Sequence, residues 1–200
     1  VTKSTIEDAL SKIVDPHTGL DLVTGKSVKD SVVDGGNVSI DLVLGYPAKG
    51  WHPSLRQQVV DAVSMVESVE SVEVRIETQV VSHEVQKGVT PLKNVRNVIA
   101  VASGKGGVGK STVSANLAVA LSAEGANVGV LDADIYGPSQ PRMLGIGGRP
   151  KSKDGKSLEP MNSYHVQVMS IGFLIEEDTP MIWRGPMVTQ ALEQLLQDTQ

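Results

Sequence analysis

Lys110 and Ser111 close a glycine-rich run, Gly104-Lys105-Gly106-Gly107-Val108-Gly109, and the whole fits the spacing G-x-x-x-x-G-K-[ST]. These residue types in this order hold polyphosphate. Glycines let the backbone wrap until successive N–H groups point at phosphate oxygens. The Lys110 ammonium can reach the outer phosphates, and the Ser111 hydroxyl can ligate Mg²⁺. A helix starting at this point adds its positive dipole end beneath the anion. Gly104 through Ser111 are therefore the candidate cofactor-binding residues, for ATP with Mg²⁺. Lys105 is a second cation that an ordinary phosphate loop does not need; taken alone it is a solvated lysine.

A pair of carboxylates follows. Asp132 and Asp134 close the apolar run Val128-Gly-Val-Leu131. Open α/β sheets bind ligands at the C-terminal ends of their strands, and strand alternation predicts both carboxylates on one side. Asp132 is expected in the Mg²⁺ shell through water, together with Ser111, and Asp134 is expected to orient the attacking water. His17, His52, His83 and His165 show no ligand spacing. Glu176-Glu-Asp178 and Lys151–Ser157 are expected as solvated surface.

Positioning these groups takes a strand, a turn and a helix. Asn97–Ser103 is a short β-branched run, as a buried parallel strand should be. Ser111–Ala123 carries Val113, Leu117, Ala120 and Leu121 at helical spacing, and Gly125 ends it. A strand is predicted over 128–131, a helix over 138–143, short strands over 158–161 and 165–171, and a helix over 186–197. Upstream, the pattern predicts a helix over 3–14 with a Ser4/Glu7 capping box. Strands over 27–33 and 38–44 flank an Asp34-Gly-Gly-Asn37 turn. A helix over 53–66 follows, with Leu55, Val59, Val60, Val63 and Met65/Val66 inward, and then a strand over 71–81.

The predicted fold is α/β. A P-loop doubly wound parallel sheet, incomplete because its C-terminal part is missing, is preceded by a small α+β domain. The expected boundaries are 1–82 for the small domain, 83–95 for a linker and 96–200 for the P-loop domain.

With 200 residues and 40% hydrophobic content, one or two real cores are possible. A net charge of −5 without a basic run offers no electrostatic case for nucleic acid or an anionic membrane. Aromatics at 3% make stacking platforms for single strands improbable. No apolar stretch reaches about 18 residues, and the first residues lack a signal-peptide core, so a cytoplasmic location is the default expectation. There is no cysteine, so these residues offer neither a thiolate ligand nor a disulfide.

Lys105-Gly-Gly-Val-Gly-Lys-Ser111, Leu131-Asp-Ala-Asp-Ile-Tyr-Gly-Pro-Ser139 and Met181-Ile-Trp-Arg-Gly-Pro-Met187 together resemble the Mrp/ApbC family. Its members are P-loop ATPases that carry iron–sulfur clusters, relatives of MinD, ParA and the nitrogenase iron protein. The resemblance implies a homodimer in which Lys105 reaches the partner subunit's ATP, giving Lys105, Lys110 and Asp134 as the catalytic set. It implies an interface role for Arg184. It implies a 4Fe–4S cluster bridged between subunits by a C-x-x-C pair outside this stretch, and delivery to apo iron–sulfur proteins. A further strand ending in a metal-site aspartate is expected outside it too. The first domain resembles a small iron–sulfur-assembly domain, with Asp15-Pro16 and the Tyr46-Pro47-Ala48 loop as landmarks and partner docking as its role. Two alternatives stay open: a MinD/ParA-like switch acting through partner association, and a nucleotide-binding scaffold without turnover.

Overall fold

A computed structural model describes residues 1–82, 92, 94–152, 157–174 and 185–199, the last with side chains at 189–193, 195, 196 and 199. The chain divides into two units, Val1–Val98 and Ile99–Gln200.

The first unit begins with helix α1, Lys3–Leu10. The expected Ser4/Glu7 box gives way to a hydroxyl pair two residues earlier. Thr2 is the N-cap, its Oγ1 accepts from the Thr5 N–H at 3.3 Å, and Thr5 Oγ1 accepts from the Thr2 N–H at 3.1 Å. Either spacing satisfies two orphan donors; this one turns Ile6, Ala9 and Leu10 inward. The helix stops at Leu10, short of the expected residue 14, and Ile13 is buried from a turn instead. Strands β1, Val28–Asp34, and β2, Asn37–Leu44, pair antiparallel around Gly35-Gly36. Gly35 has φ +60, a conformation that costs glycine little.

Helix α2, His52–Ser64, has Pro53 in its first turn and buries Leu55, Val59 and Val63. Met65, expected inward, is the C-cap residue and is 86% exposed, because the helix has already ended there. Strand β3, Ser71–Thr78, then runs parallel to β2 from Asn37↔Ser71 to Leu44↔Thr78. Alternation along β2 sends Val38, Ile40, Leu42 and Leu44 into one core with α1 and α2.

In the second unit, helix α3 spans Lys110–Ala123 and strand β4 spans Val128–Asp132. Helix α4 covers Gln140–Met143; strands β5, Met161–Ser163, and β6, Val166–Ser170, follow. A single 3₁₀ turn, Ile171–Phe173, leads on, and helix α5 covers Gly185–Asp198. The sheet order is β4-β6-β5, with β4 and β6 parallel and β5 and β6 antiparallel. Val166, Val168 and Met169 form its core with Ile135, Leu144, Phe173 and Leu195.

Three expectations are corrected here. Residues 97–103 form no strand, and Val98 and Ile99 stand 74% and 62% exposed. An extended run becomes a strand only beside a neighbour's unpaired N–H and C=O groups, and no described strand pairs with it. Leu158 makes only an isolated bridge, to Thr199, so the expected strand over 158–161 begins at Met161. The buried face of α3 is Ala115 and Ala118, whereas Val113 and Leu117 are exposed. Its apolar residues are spread round the helix rather than gathered on one stripe, so periodicity does not select a face. Among the described residues, no helix is long and apolar enough to cross a membrane.

Candidate functional site

The glycine loop enters α3 through backbone conformations that side chains resist. Gly107 has φ +71 and Gly109, the N-cap of α3, has φ +90 and ψ 21. Both lie in the left-handed region, where a Cβ clashes with the following carbonyl. No heavy atom outside the chain neighbours lies within 4 Å of where a Cβ would stand on Gly104, Gly106, Gly107 or Gly109. The loop is open, exposed from Gly104 to Val108.

Lys110 and Ser111 fill the first turn of α3, half-buried, and no side chain caps that helix. The first N–H groups of a helix have no partner inside it, and here no side chain takes them up. Lys105 is exposed in the loop, and its own N–H donates to Ser103 Oγ at 3.1 Å.

Asp132, the last residue of β4, is buried. Its Oδ2 accepts from the Ser139 N–H at 2.9 Å, the Gln140 N–H at 3.0 Å and the Ser170 hydroxyl at 3.2 Å. Its Oδ1 accepts from the Asp134 N–H at 3.2 Å. The carboxylate thereby caps α4, holds the loop after β4 and ties in the end of β6. From that loop, Ser139 Oγ donates to Ser111 Oγ at 2.8 Å, and Gln140 Nε2 donates to the Ser111 carbonyl at 3.1 Å. The fold so brings Ser111 and Asp132 to one place, with Ser139, Gln140 and Ser170 completing it.

Asp134 is placed differently from the expectation. The strand ends at Asp132, so alternation no longer applies. Asp134 is exposed in the following loop, and its Oδ1 accepts from the Gly137 N–H at 3.1 Å. Met181–Arg184 lie outside the described residues, and with them the interface expectation for Arg184. Ser139, Gln140 and Ser170 were not singled out by motif spacing. The available signal was Ser139-Gln140-Pro141, a serine and proline at a helix start.

The donor set suits a hard cation that brings its own ligands. Among the described residues there is no group of three or more His, Cys, Asp or Glu able to hold a metal. Mg²⁺ takes one or two protein oxygens and completes its shell with substrate phosphates and water. A helix-start hydroxyl beside a strand-end carboxylate is that kind of site.

The first unit has its own polar centre. Buried Asp15 accepts from the His17 and Thr18 N–H groups through Oδ1, at 2.8 and 3.4 Å, and from the Tyr46 hydroxyl through Oδ2 at 2.5 Å. Burial pushes its pKa up, but these hydrogen bonds, led by that from Tyr46, outweigh burial and hold it below the ordinary carboxylate value. Burial and the Asp15 carboxylate push the Tyr46 phenol well above its ordinary range. The His17 ring stands edge-on to Tyr46 and Trp51, at 5.5 and 5.6 Å between centroids.

Residues 94–200 match the family model described as NUBPL iron-transfer P-loop NTPase. The chain belongs to that family. Residues 3–76 match a second model, iron–sulfur cluster assembly protein. An iron–sulfur cluster carrier protein of Pseudomonas fragi is 54% identical over 140 residues, covering 69% of this chain and 49% of that protein. One from Synechocystis sp. is 40% identical over 200 residues, covering 98% of this chain and 57% of that protein. The chain thus spans about half the length of the curated relatives it matches. A solved nucleotide-binding protein from Archaeoglobus fulgidus, in complex with ADP, is 39% identical and covers 50% of this chain and 37% of that one, with a TM-score of 0.41.

Proposed function

We propose that this chain belongs to an ATPase that binds Mg·ATP, hydrolyses it slowly, and uses the nucleotide state to govern loading and release of a 4Fe–4S cluster on apo-proteins. The observation that carries the reading is the open glycine loop running into α3, with Ser111 linked through Ser139 to the buried strand-end carboxylate Asp132. Bound Mg²⁺ supplies charge neutralisation between the outer phosphates. This chain's residues do the rest. The N–H groups of Gly104–Gly109 bind the phosphates, and Lys110 offsets their charge. Ser111 offers the metal its hydroxyl, with Asp132 behind it in the outer shell. Asp134, exposed in the loop after β4, is assigned the attacking water; such catalysis is mostly positioning and electrostatics.

The remaining parts are inferred by family. The protein acts as a homodimer in which Lys105 serves the partner's nucleotide, an assignment supported by its exposure at the loop edge. The cluster is cargo, held by cysteines outside these residues, since none is present here. The names of the relatives support that cargo. The second unit's sheet is taken as part of a doubly wound parallel one, supported by the parallel pairing of β4 with β6. We take 1–82 as the assembly-type domain and 83–95 as the linker.

The test is anaerobic iron and sulfide loading of the full-length protein, followed by transfer to an apo-ferredoxin with and without Mg·ATP. Nucleotide-dependent transfer is expected. Robust nucleotide binding with no cluster loading would instead favour the partner-association switch.

A further inference from the structure

We propose that Ser139 is a positioning residue for the metal-ligating hydroxyl of Ser111. The inference rests on the nucleotide-binding reading above and adds a residue to its metal site.

The argument starts at helix α4. A serine at an N-cap ordinarily accepts a hydrogen bond from an N–H two or three residues ahead. Ser139 is the N-cap of α4, yet its side chain makes no such bond. The residue two ahead is Pro141, which has no N–H to give, and Asp132 instead holds this helix start, accepting from the Ser139 and Gln140 N–H groups at 2.9 and 3.0 Å. The same contacts fix the Ser139 backbone. Its hydroxyl is left free of local work and lies 2.8 Å from Ser111 Oγ, 28 positions earlier in the chain. Gln140 holds the same residue from behind, through its bond to the Ser111 carbonyl at 3.1 Å. Gln140 is buried at 4% exposure, and its Oε1 has no hydrogen-bond partner among the described residues. Such a burial is costly, and it occurs at a side chain that, with Ser139, braces Ser111.

A hydroxyl has one proton and two lone pairs, and either partner of a hydroxyl pair can donate. In this structure Ser139 donates, so one lone pair of Ser111 is occupied. A cation held at Ser111 Oγ would disfavour a proton aimed at that oxygen, so with it bound Ser111 would donate and Ser139 would accept, leaving a Ser111 lone pair for the cation. Without the Ser139 oxygen, Ser111 is released among its staggered rotamers, and metal binding alone must select one.

The test is a titration of the full-length protein with N-methylanthraniloyl-ADP, in EDTA and across a Mg²⁺ series. Ser139→Ala is expected to raise the Mg²⁺ concentration for half-maximal tightening about tenfold, the value of one lost hydrogen bond. Its Mg²⁺-free nucleotide affinity is expected within about twofold of wild type, since the phosphate cradle is untouched. Ser139→Thr, which keeps the hydroxyl, restores the wild-type Mg²⁺ dependence. Thermal unfolding of Ser139→Ala stays near wild type because Asp132 does the capping. An unchanged Mg²⁺ midpoint in Ser139→Ala would overturn the inference. So would equal weakening with and without Mg²⁺ that threonine does not rescue. Failure of the wild type to bind nucleotide would overturn the underlying reading, and this inference with it.

Discussion

The Tyr46 hydroxyl donates to Asp15 Oδ2 at 2.5 Å, joining the loop before α2 to the turn after α1 across 31 positions. The bond carries a pH signature. Asp15 has a folded pKa below its unfolded value, which is about 3.9. Its contribution to stability is therefore present above about pH 4 and disappears as pH falls through the lower folded value. Tyr46→Phe should lose about 1.5–3 kcal/mol in urea unfolding near neutral pH, the range for a hydrogen bond to a charged group. The difference from wild type should shrink toward about pH 3. A gap that is the same at both pH values would mean that Tyr46 stabilises by packing alone.

Asp132 and Asp134 are separated by one residue and should respond oppositely. Asp132→Asn replaces two accepting oxygens with one, and the four donors around it cannot all be met. A loss of about 1–3 kcal/mol is expected for each donor left buried and unpaired. Asp134→Asn, exposed in a loop, should stay within about 0.5 kcal/mol of wild type. Thermal unfolding of the two variants side by side decides it.

The glycine cradle yields a contrast between two alanines. Gly109→Ala places a Cβ at φ +90 and should cost about 1–2 kcal/mol of stability. Gly106→Ala meets no neighbouring atom within 4 Å and has no positive φ, so its stability should hold. Its methyl would nonetheless stand where a phosphate held by the loop's N–H groups must approach the backbone. Nucleotide affinity should fall in both variants, and the thermal midpoint only in Gly109→Ala.

What could be read in advance depended on whether the decisive contact was local. Gly107, Gly109 and the start of α3 are legible because motif spacing and backbone strain are properties of neighbours in the chain. The Asp34–Asn37 hairpin is legible for the same reason. Residues 97–103 were not: β-branched composition favours extension, but a strand also needs a partner edge, and no described strand supplies one. The inward face of α3 was not, because Val113, Leu117, Ala115 and Ala118 are all apolar and only the approach of the sheet selects the alanines. Ser139 was not, because its hydroxyl finds Ser111 across 28 positions.

Asp134→Ala should leave nucleotide affinity near wild type while lowering the hydrolysis rate by about a hundredfold or more, the scale expected when the attacking water loses its orientation. Phosphate release under single-turnover conditions reads this directly. Normal turnover in the variant would remove Asp134 from the mechanism.

The most direct test of the central claim is equilibrium binding of Mg·ATP to the full-length protein and to its Lys110→Ala variant. The account predicts saturable one-to-one binding by the wild type and a loss of about a hundredfold or more in the variant, as expected when a charge-assisted phosphate contact is removed. Equal binding by the two proteins, or none by either, would contradict it.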